Sequence, residues 1–268
     1  MLPVLRISDP FDPRVAAFRD IRERDLVGRD KQFIAEGEVV LRALVNGAMH
    51  EPQALLLAEK RVAKLEPLLA RLPGGVPVYS APQDILDTIA GFHLHRGILA
   101  LGRRAAEQGP AALLAGLPAR ALVVLLVGIA NHDNMGGIFR NAAAFGADAI
   151  LLDAQSCDPL YRKSIRVSAG AALTVPFARL SPGEDAVDSL ESAGFTAFAL
   201  SPSGERPLAE ISPPSRAAVL FGAEGPGLPE AVLGRTETVR IPMTAGFDSL
   251  NVATSSGIVL HHCAFARS

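Results

Sequence analysis

Between residues 32 and 101, short apolar runs (32–35, 54–57, 75–79 and 98–101) alternate with stretches whose apolar residues recur every three to four positions (38–46, 60–72 and 82–90). The first pattern predicts strands and the second helices, so this part of the chain reads as a small α/β domain. Ahead of it, Val15, Ala16, Phe18, Ile21 and Leu26 fall at helical spacing and predict an amphipathic helix over 13–27. Residues 103–120 are rich in Ala, Gly and Pro and match no strand pattern; a linker is placed at 106–120, dividing 1–105 from 121–268. A second alternation follows: strand 122–127, helix 136–145, strand 149–152, helix 162–169, strand 173–175, helix 185–193, strands 196–200 and 218–221, a short helix from Pro229, strand 238–241 and helix 249–266. That order predicts a mostly parallel sheet covered by helices.

Composition narrows the class. Of the 268 residues 49% are hydrophobic, enough for a sizeable core, yet the longest apolar run, 121–130, is far short of the ~20 residues of a spanning helix. It reads as a buried strand. The amino terminus has no basic segment leading into an apolar one, so a cytoplasmic protein is expected. Cys157 and Cys263 are too far apart in sequence for a metal-binding spacing and read as buried thiols. The net charge of -2 argues against unspecific polyanion binding, while leaving room for a local basic patch, since residues 1–105 are net +2 and the remainder net -4.

Three segments follow predicted strand ends, where open α/β sheets bind ligands. In Asn131–Arg140, a glycine pair opens a helix with Asn134 at its mouth and Arg140 further in; on spacing alone Asn134 reads as a cap and Arg140 as a surface cation. Gly222, Ala223, Glu224, Gly225, Pro226 and Gly227 form a glycine-rich loop whose spacing is inverted relative to a dinucleotide fingerprint. In the third, Ser249 is placed to cap the last helix, with Asn251 in its first turn. Together the loops bring an amide, a guanidinium, a carboxylate and a hydroxyl to neighbouring strand ends.

In order and spacing these segments resemble the three motifs of the SpoU (TrmH-type) RNA 2′-O-ribose methyltransferases of the SPOUT superfamily: Asn134, Gly136 and Arg140; Gly222, Glu224, Gly225, Gly227 and Leu228; then Ile241 to Met243 and Ser249 to Val252. Arg166 to Ala171 also looks like that family, and Phe33 to Gly37 with Gly97 to Ala100 resembles the start and end of its RNA-binding domain. The resemblance implies S-adenosylmethionine as cofactor, a homodimer, and a deep trefoil knot in the sheet. It implies a cofactor site at Gly222, Ala223, Gly225, Gly227, Ile241, Met243, Leu250 and Asn251, and a catalytic set of Asn134, Arg140, Glu224, Ser249 and Asn251. In this set Arg140 is expected to bind a phosphate and stabilise a developing alkoxide, because a guanidinium pKa above ~12 makes it a poor base. Glu224 is expected to fix Arg140 or a loop amide. The chain departs from the family pattern at Asn131-His132, Ala253 and the pair His261 and His262.

The size of the amino-terminal part favours ribosomal RNA over tRNA as substrate. A non-catalytic RNA-binding protein of the same fold predicts loss of Arg140, Glu224 or Asn251, all of which are present. A serine hydrolase built on Ser255, Ser256 and the late histidines lacks a nucleophile elbow, and a nicotinamide reductase fails on the glycine spacing. His93 and His95 lack partners at ligand spacing, so no metal site is expected. The last helix is apolar around most of its circumference, which suits packing on a second subunit.

Overall fold

The computed structural model describes residues 3–19, 31–244 and 249–266. They form two compact units, one of residues 1–106 with 160–174, the other of 107–159 with 175–268.

The first unit is a five-stranded mixed sheet in the order β1 (Val4–Arg6), β4 (Val78–Ala81), β3 (Glu51–Ala58), β5 (Ile98–Arg103) and β2 (Gln32–Glu36). Its helices are α1 (Glu38–Asn46), α2 (Glu59–Leu69) and α3 (Gln83–Ala90). Every second residue from Ala54 to Ala58 joins Ile34, Tyr79, Leu86, Ile89, Leu99 and Leu101 in one core, the period-two burial of a strand facing a helical layer. The helix expected over 13–27 is a 3-10 turn at Pro13–Phe18, with Asp12 as its cap and Val15 and Phe18 buried; residues 20–27 lie outside the described residues. Strand β1 escaped the sequence reading because three residues carry too little pattern.

The second unit is a seven-stranded sheet, parallel throughout, in the order β10 (Arg206–Pro207), β12 (Glu237–Arg240), β9 (Thr196–Leu200), β11 (Arg216–Phe221), β6 (Ala121–Leu126), β7 (Ala149–Leu152) and β8 (Phe177–Arg179). All six residues of β6 are buried, as expected of a central strand covered on both faces. The chain runs outward from β6 to β8, crosses back to lay down β9, and then inserts β11 between β9 and β6. This insertion makes a switch in strand order next to β6, and the loops leaving β6, β9, β11 and β12 emerge at one edge.

Several predicted bounds change. The expected linker holds α4 (Pro110–Ala115), whose Leu113 and Leu114 enter the core of the second unit. The predicted strand 173–175 is a 3-10 turn at Ala171–Leu173, and the strand is β8 instead. The predicted helix 162–169 is α6 (Arg162–Val167), and residues 160–174 belong to the first compact unit although they interrupt the second in sequence. The helix expected over 136–145 is α5 (His132–Ala144), one turn longer at its start because Asn131, not Asn134, is the cap: Asn131 Oδ1 accepts from the N–H groups of Asp133 (2.8 Å) and Asn134 (3.2 Å). The remaining helices are α7 (Ala186–Ser192), α8 (Glu230–Leu233) and α9 (Val252–Phe265). Among the described residues no helix is long and apolar enough to cross a membrane.

Candidate functional site

At the carboxyl edge of β9, β11 and β12 lies a cavity of about 630 Å³. Leu200, Phe221, Leu228, Ile241 and Leu250 supply apolar wall, and Ser201, Ser203, Glu224, Ser249 and Asn251 the polar part. Its size falls within the ~300–1,000 Å³ of small-molecule sites. Glycine is required here for backbone against backbone: a Cβ on Gly222 would collide with Gly227 and Leu228, because the loop doubles back through a bridge between Ala223 and Gly227 (Gly227 N–H to Ala223 O, 2.9 Å). Gly225 and Gly227 hold φ of 87° and 73°, the left-handed region. The glycine spacing therefore builds the shape of the loop.

Three side chains from the three loops meet. Asn134, in the first turn of α5 and 6% exposed, donates from Nδ2 to Glu224 Oε1 at 2.6 Å. Asn251 donates from Nδ2 to Asn134 Oδ1 (2.9 Å) and to Glu224 Oε1 (3.1 Å). Asn251 also caps α9, its Oδ1 accepting from the N–H groups of Ala253 (2.9 Å) and Thr254 (3.3 Å). So the final helix begins at Val252 and is capped by Asn251; Ser249, predicted as its cap, precedes it and lines the cavity. Of the two partners expected for Glu224, Arg140 or a loop amide, it takes amides, those of the Asn134 and Asn251 side chains.

Helix α9 is fixed on α5 by a close approach. A Cβ on Gly137 would stand 2.7 Å from Ala253 Cβ, and Asn141 Nδ2 donates to Ala253 O (2.7 Å) and Ser256 Oγ (2.9 Å). The Ala253 that departs from the family pattern is thus the residue against which Gly137 packs. Asn141 carried no sequence signal beyond its place beside Arg140.

Of the predicted residues, Gly222, Ala223, Glu224, Gly225, Gly227, Ile241, Met243, Ser249, Leu250 and Asn251 line the cavity. Asn134 joins through its hydrogen bonds. Arg140 stays apart: it is exposed, six positions beyond Asn134 on α5, about 9 Å further along the axis and about 120° round it. The stretch from Leu200 to Ser203 lines the cavity and was not singled out; the only available signal was its position after a predicted strand.

Ser255 faces the cavity, but the late histidines are engaged elsewhere. His262 Nε2 meets Ile211 O at 2.8 Å, and the His261 ring lies against Phe145 and Phe265. Beyond the cavity, burial, reinforced by the charge of Asp158, pushes the half-buried Cys157 thiol up to about 11, so it is protonated at neutral pH.

In three dimensions this chain, with its parallel α/β sheet and glycine-shaped loops beside a cavity, matches solved RNA methyltransferase structures. It superposes on the S-adenosylmethionine-bound rRNA methyltransferase from Sinorhizobium meliloti with a TM-score of 0.79 at 24% identity, over 97% of both chains. It matches an RNA 2′-O ribose methyltransferase structure with a TM-score of 0.75 at 25% identity, over 97% of this chain and 98% of that one. In sequence it is 40% identical to an uncharacterized tRNA/rRNA methyltransferase of Mycobacterium bovis, covering 97% of this chain and 91% of that protein. Residues 121–261 match the SpoU rRNA Methylase family, and the chain belongs to it.

Proposed function

We propose that the protein transfers a methyl group from S-adenosylmethionine to a ribose 2′-hydroxyl of structured RNA, ribosomal RNA in preference to tRNA, and that it works in the cytoplasm as a homodimer. The observation that carries this reading is the junction of Asn134, Glu224 and Asn251 beside the cavity, which ties all three motif loops into one site. The name of the Mycobacterium bovis relative supports RNA as the substrate class, and the S-adenosylmethionine-bound Sinorhizobium meliloti protein, alike in fold, supports the cofactor. The crossing from β8 to β9 and the later insertion of β11 are compatible with the trefoil knot that the family resemblance implies.

The residues present fit the cofactor. Leu200, Phe221, Ile241 and Leu250 offer apolar wall to an adenine ring, and the crowded backbone of 222–228 and 241–243 offers N–H and C=O groups to its polar parts. When bound, S-adenosylmethionine supplies an electrophilic methyl on a positively charged sulfur. With the cofactor bound, the apolar wall would shield the methyl carbon from water, and the Asn134–Glu224–Asn251 junction, which holds the three loops together, would help direct the 2′-oxygen towards it. Arg140 binds the phosphate beside the target ribose and stabilises the developing 2′-alkoxide. The hydroxyl proton leaves to phosphate or water.

Because Arg140 lies outside the cavity lining of its own chain, we assign it to a site completed by a second copy. Leu250, Ile258 and Phe265 give that copy an apolar surface, being 41%, 40% and 73% exposed. Light scattering should report a dimer at micromolar concentration; a monomer that still methylates RNA would rule this arrangement out. The 2′-O chemistry is tested by resistance of one labelled linkage to alkaline cleavage, and label on a base instead would exclude it.

A further inference from the structure

The first compact unit carries a surface unlike the rest of this acidic chain. The loop between α3 and β5, residues 91–97, is pinned by one inward residue, Leu94, which is fully buried. Its N–H donates to Asp87 Oδ1 (2.9 Å) and its carbonyl accepts from Gln83 Nε2 (3.1 Å). His93 Nδ1 meets Asp87 Oδ2 at 2.6 Å, with the His95 ring edge-to-face at 4.3 Å. Thus anchored, the loop leaves Phe92, His93, His95 and Arg96 exposed.

Beside it lies α6. The Arg162 guanidinium covers the Phe92 ring at 4.6 Å and donates to Glu36 Oε2 at 3.2 Å, while Arg166 stands 4.0 Å from the same carboxylate. The Glu36 side chain is 8% exposed and thus holds both guanidinium groups against the end of β2. Arg96 lies over the next residue, Gly37, where an added Cβ would touch its Cδ at 2.8 Å. Two arginines therefore engage one buried carboxylate, with Arg96 over the residue that follows it and the exposed Lys163 on the same helix, and a Phe that is 37% exposed lies against Arg162. The local excess of positive charge calls for anions, and an aromatic ring backed by a guanidinium offers a stacking face to a base.

We propose that the 92–96 loop and α6 form the surface on which the first unit holds an unpaired stretch of RNA, one base stacking on Phe92 with Arg162, and phosphates pairing with Arg96 and Arg166. This rests on RNA being the substrate, and goes beyond it by locating the contact on a helix that lies in sequence within the methyltransferase half. Unpaired RNA is favoured over duplex because stacking needs a base that has left its pair.

The test is fluorescence anisotropy with a labelled uridine 12-mer and with deproteinised large-subunit ribosomal RNA, for wild type, Phe92→Ala, Phe92→Tyr, Arg96→Gln, Arg166→Gln and, as a remote charge control, Arg71→Gln. S-adenosylmethionine binding and melting temperature are measured on each. Phe92→Ala should weaken RNA binding roughly 5- to 100-fold, with Phe92→Tyr near wild type. Each of Arg96→Gln and Arg166→Gln should lower the slope of log affinity against log salt by about 0.7 to 0.9, with Arg71→Gln, cofactor binding and melting unchanged. Wild-type RNA binding that survives all three loop and helix substitutions overturns this surface and leaves the methyltransferase reading intact. Failure of the wild type to bind or methylate any RNA overturns both.

Discussion

Replacing Asn134 by Asp isolates the contact at the centre of the site. The side chains are nearly equal in volume, but the Nδ2 that donates to Glu224 Oε1 at 2.6 Å becomes a carboxylate oxygen facing another. Relaxed to about 3.5 Å at an effective dielectric constant of about 20, the repulsion is about 5 kcal/mol. Glu224 is at the solvent edge, and screening reduces this to about 2–3 kcal/mol, equivalent to about two pKa units. One of the two carboxyls then keeps its proton to higher pH in the folded protein than in the unfolded chain. The sign follows: above the raised value the variant carries the full penalty, and the penalty fades as pH falls from about 6 towards the unfolded-state value near 4. At about 2–4 °C per kcal/mol, calorimetry should show a melting temperature about 5–10 °C below wild type at pH 8, and a clearly smaller gap at pH 5. Adding Glu224→Gln, which returns a donor opposite the new carboxylate, should remove the pH dependence. Equal deficits at both pH values would mean that Asn134 and Glu224 do not meet in the folded protein.

Three further outcomes are expected. Gly222→Ala should abolish S-adenosylmethionine binding measured by titration calorimetry and lower stability by about 1–3 kcal/mol, because its Cβ has no space against Gly227 and Leu228; full binding would contradict the shape given to the loop. Native Cys157 should react with iodoacetamide at pH 9 far more slowly than in the urea-unfolded protein, since its folded pKa is near 11 against an ordinary 9.0. Asp185→Ala should cost about 1 kcal/mol in denaturant unfolding, as Asp185 caps α7 and pairs with Arg235. Hydrogen bonds from the N–H groups of Asp188 and Val187, with Arg235, hold the Asp185 carboxyl below its ordinary value, so this loss should be full near pH 7 and shrink as pH falls below about 4.

The helices and strands with strong periodicity were legible in the chain because each satisfies its own local rule. Residues 38–46 form α1 to the residue, and the six buried positions of β6 read as a continuous apolar run. The misplaced starts of α5 and α9 have one cause: each has two residues able to cap near its start, and sequence pattern does not distinguish Asn131 from Asn134, or Ser249 from Asn251, as the one whose side-chain oxygen accepts from the first helical N–H groups. Asn134 sits inside α5, and its Oδ1 accepts from Asn251 Nδ2 instead of from a helix N–H. Likewise residues 160–174 carry no sequence mark of belonging to the first unit, because the ion pair of Arg162 with Glu36 spans 126 positions. The loops were found by motif; the hydrogen bonds joining them were not, and the separation of Arg140 from its motif neighbour is a matter of helix phase rather than spacing.

The most direct test is transfer of labelled methyl from S-adenosylmethionine to separated ribosomal and transfer RNA by wild type and Arg140→Ala, followed by alkaline hydrolysis. Label in ribosomal RNA that survives as one alkali-resistant dinucleotide, and falls at least about a hundredfold with Arg140→Ala while cofactor binding is kept, is the predicted result. Label on a base, or undiminished transfer by Arg140→Ala, would contradict it.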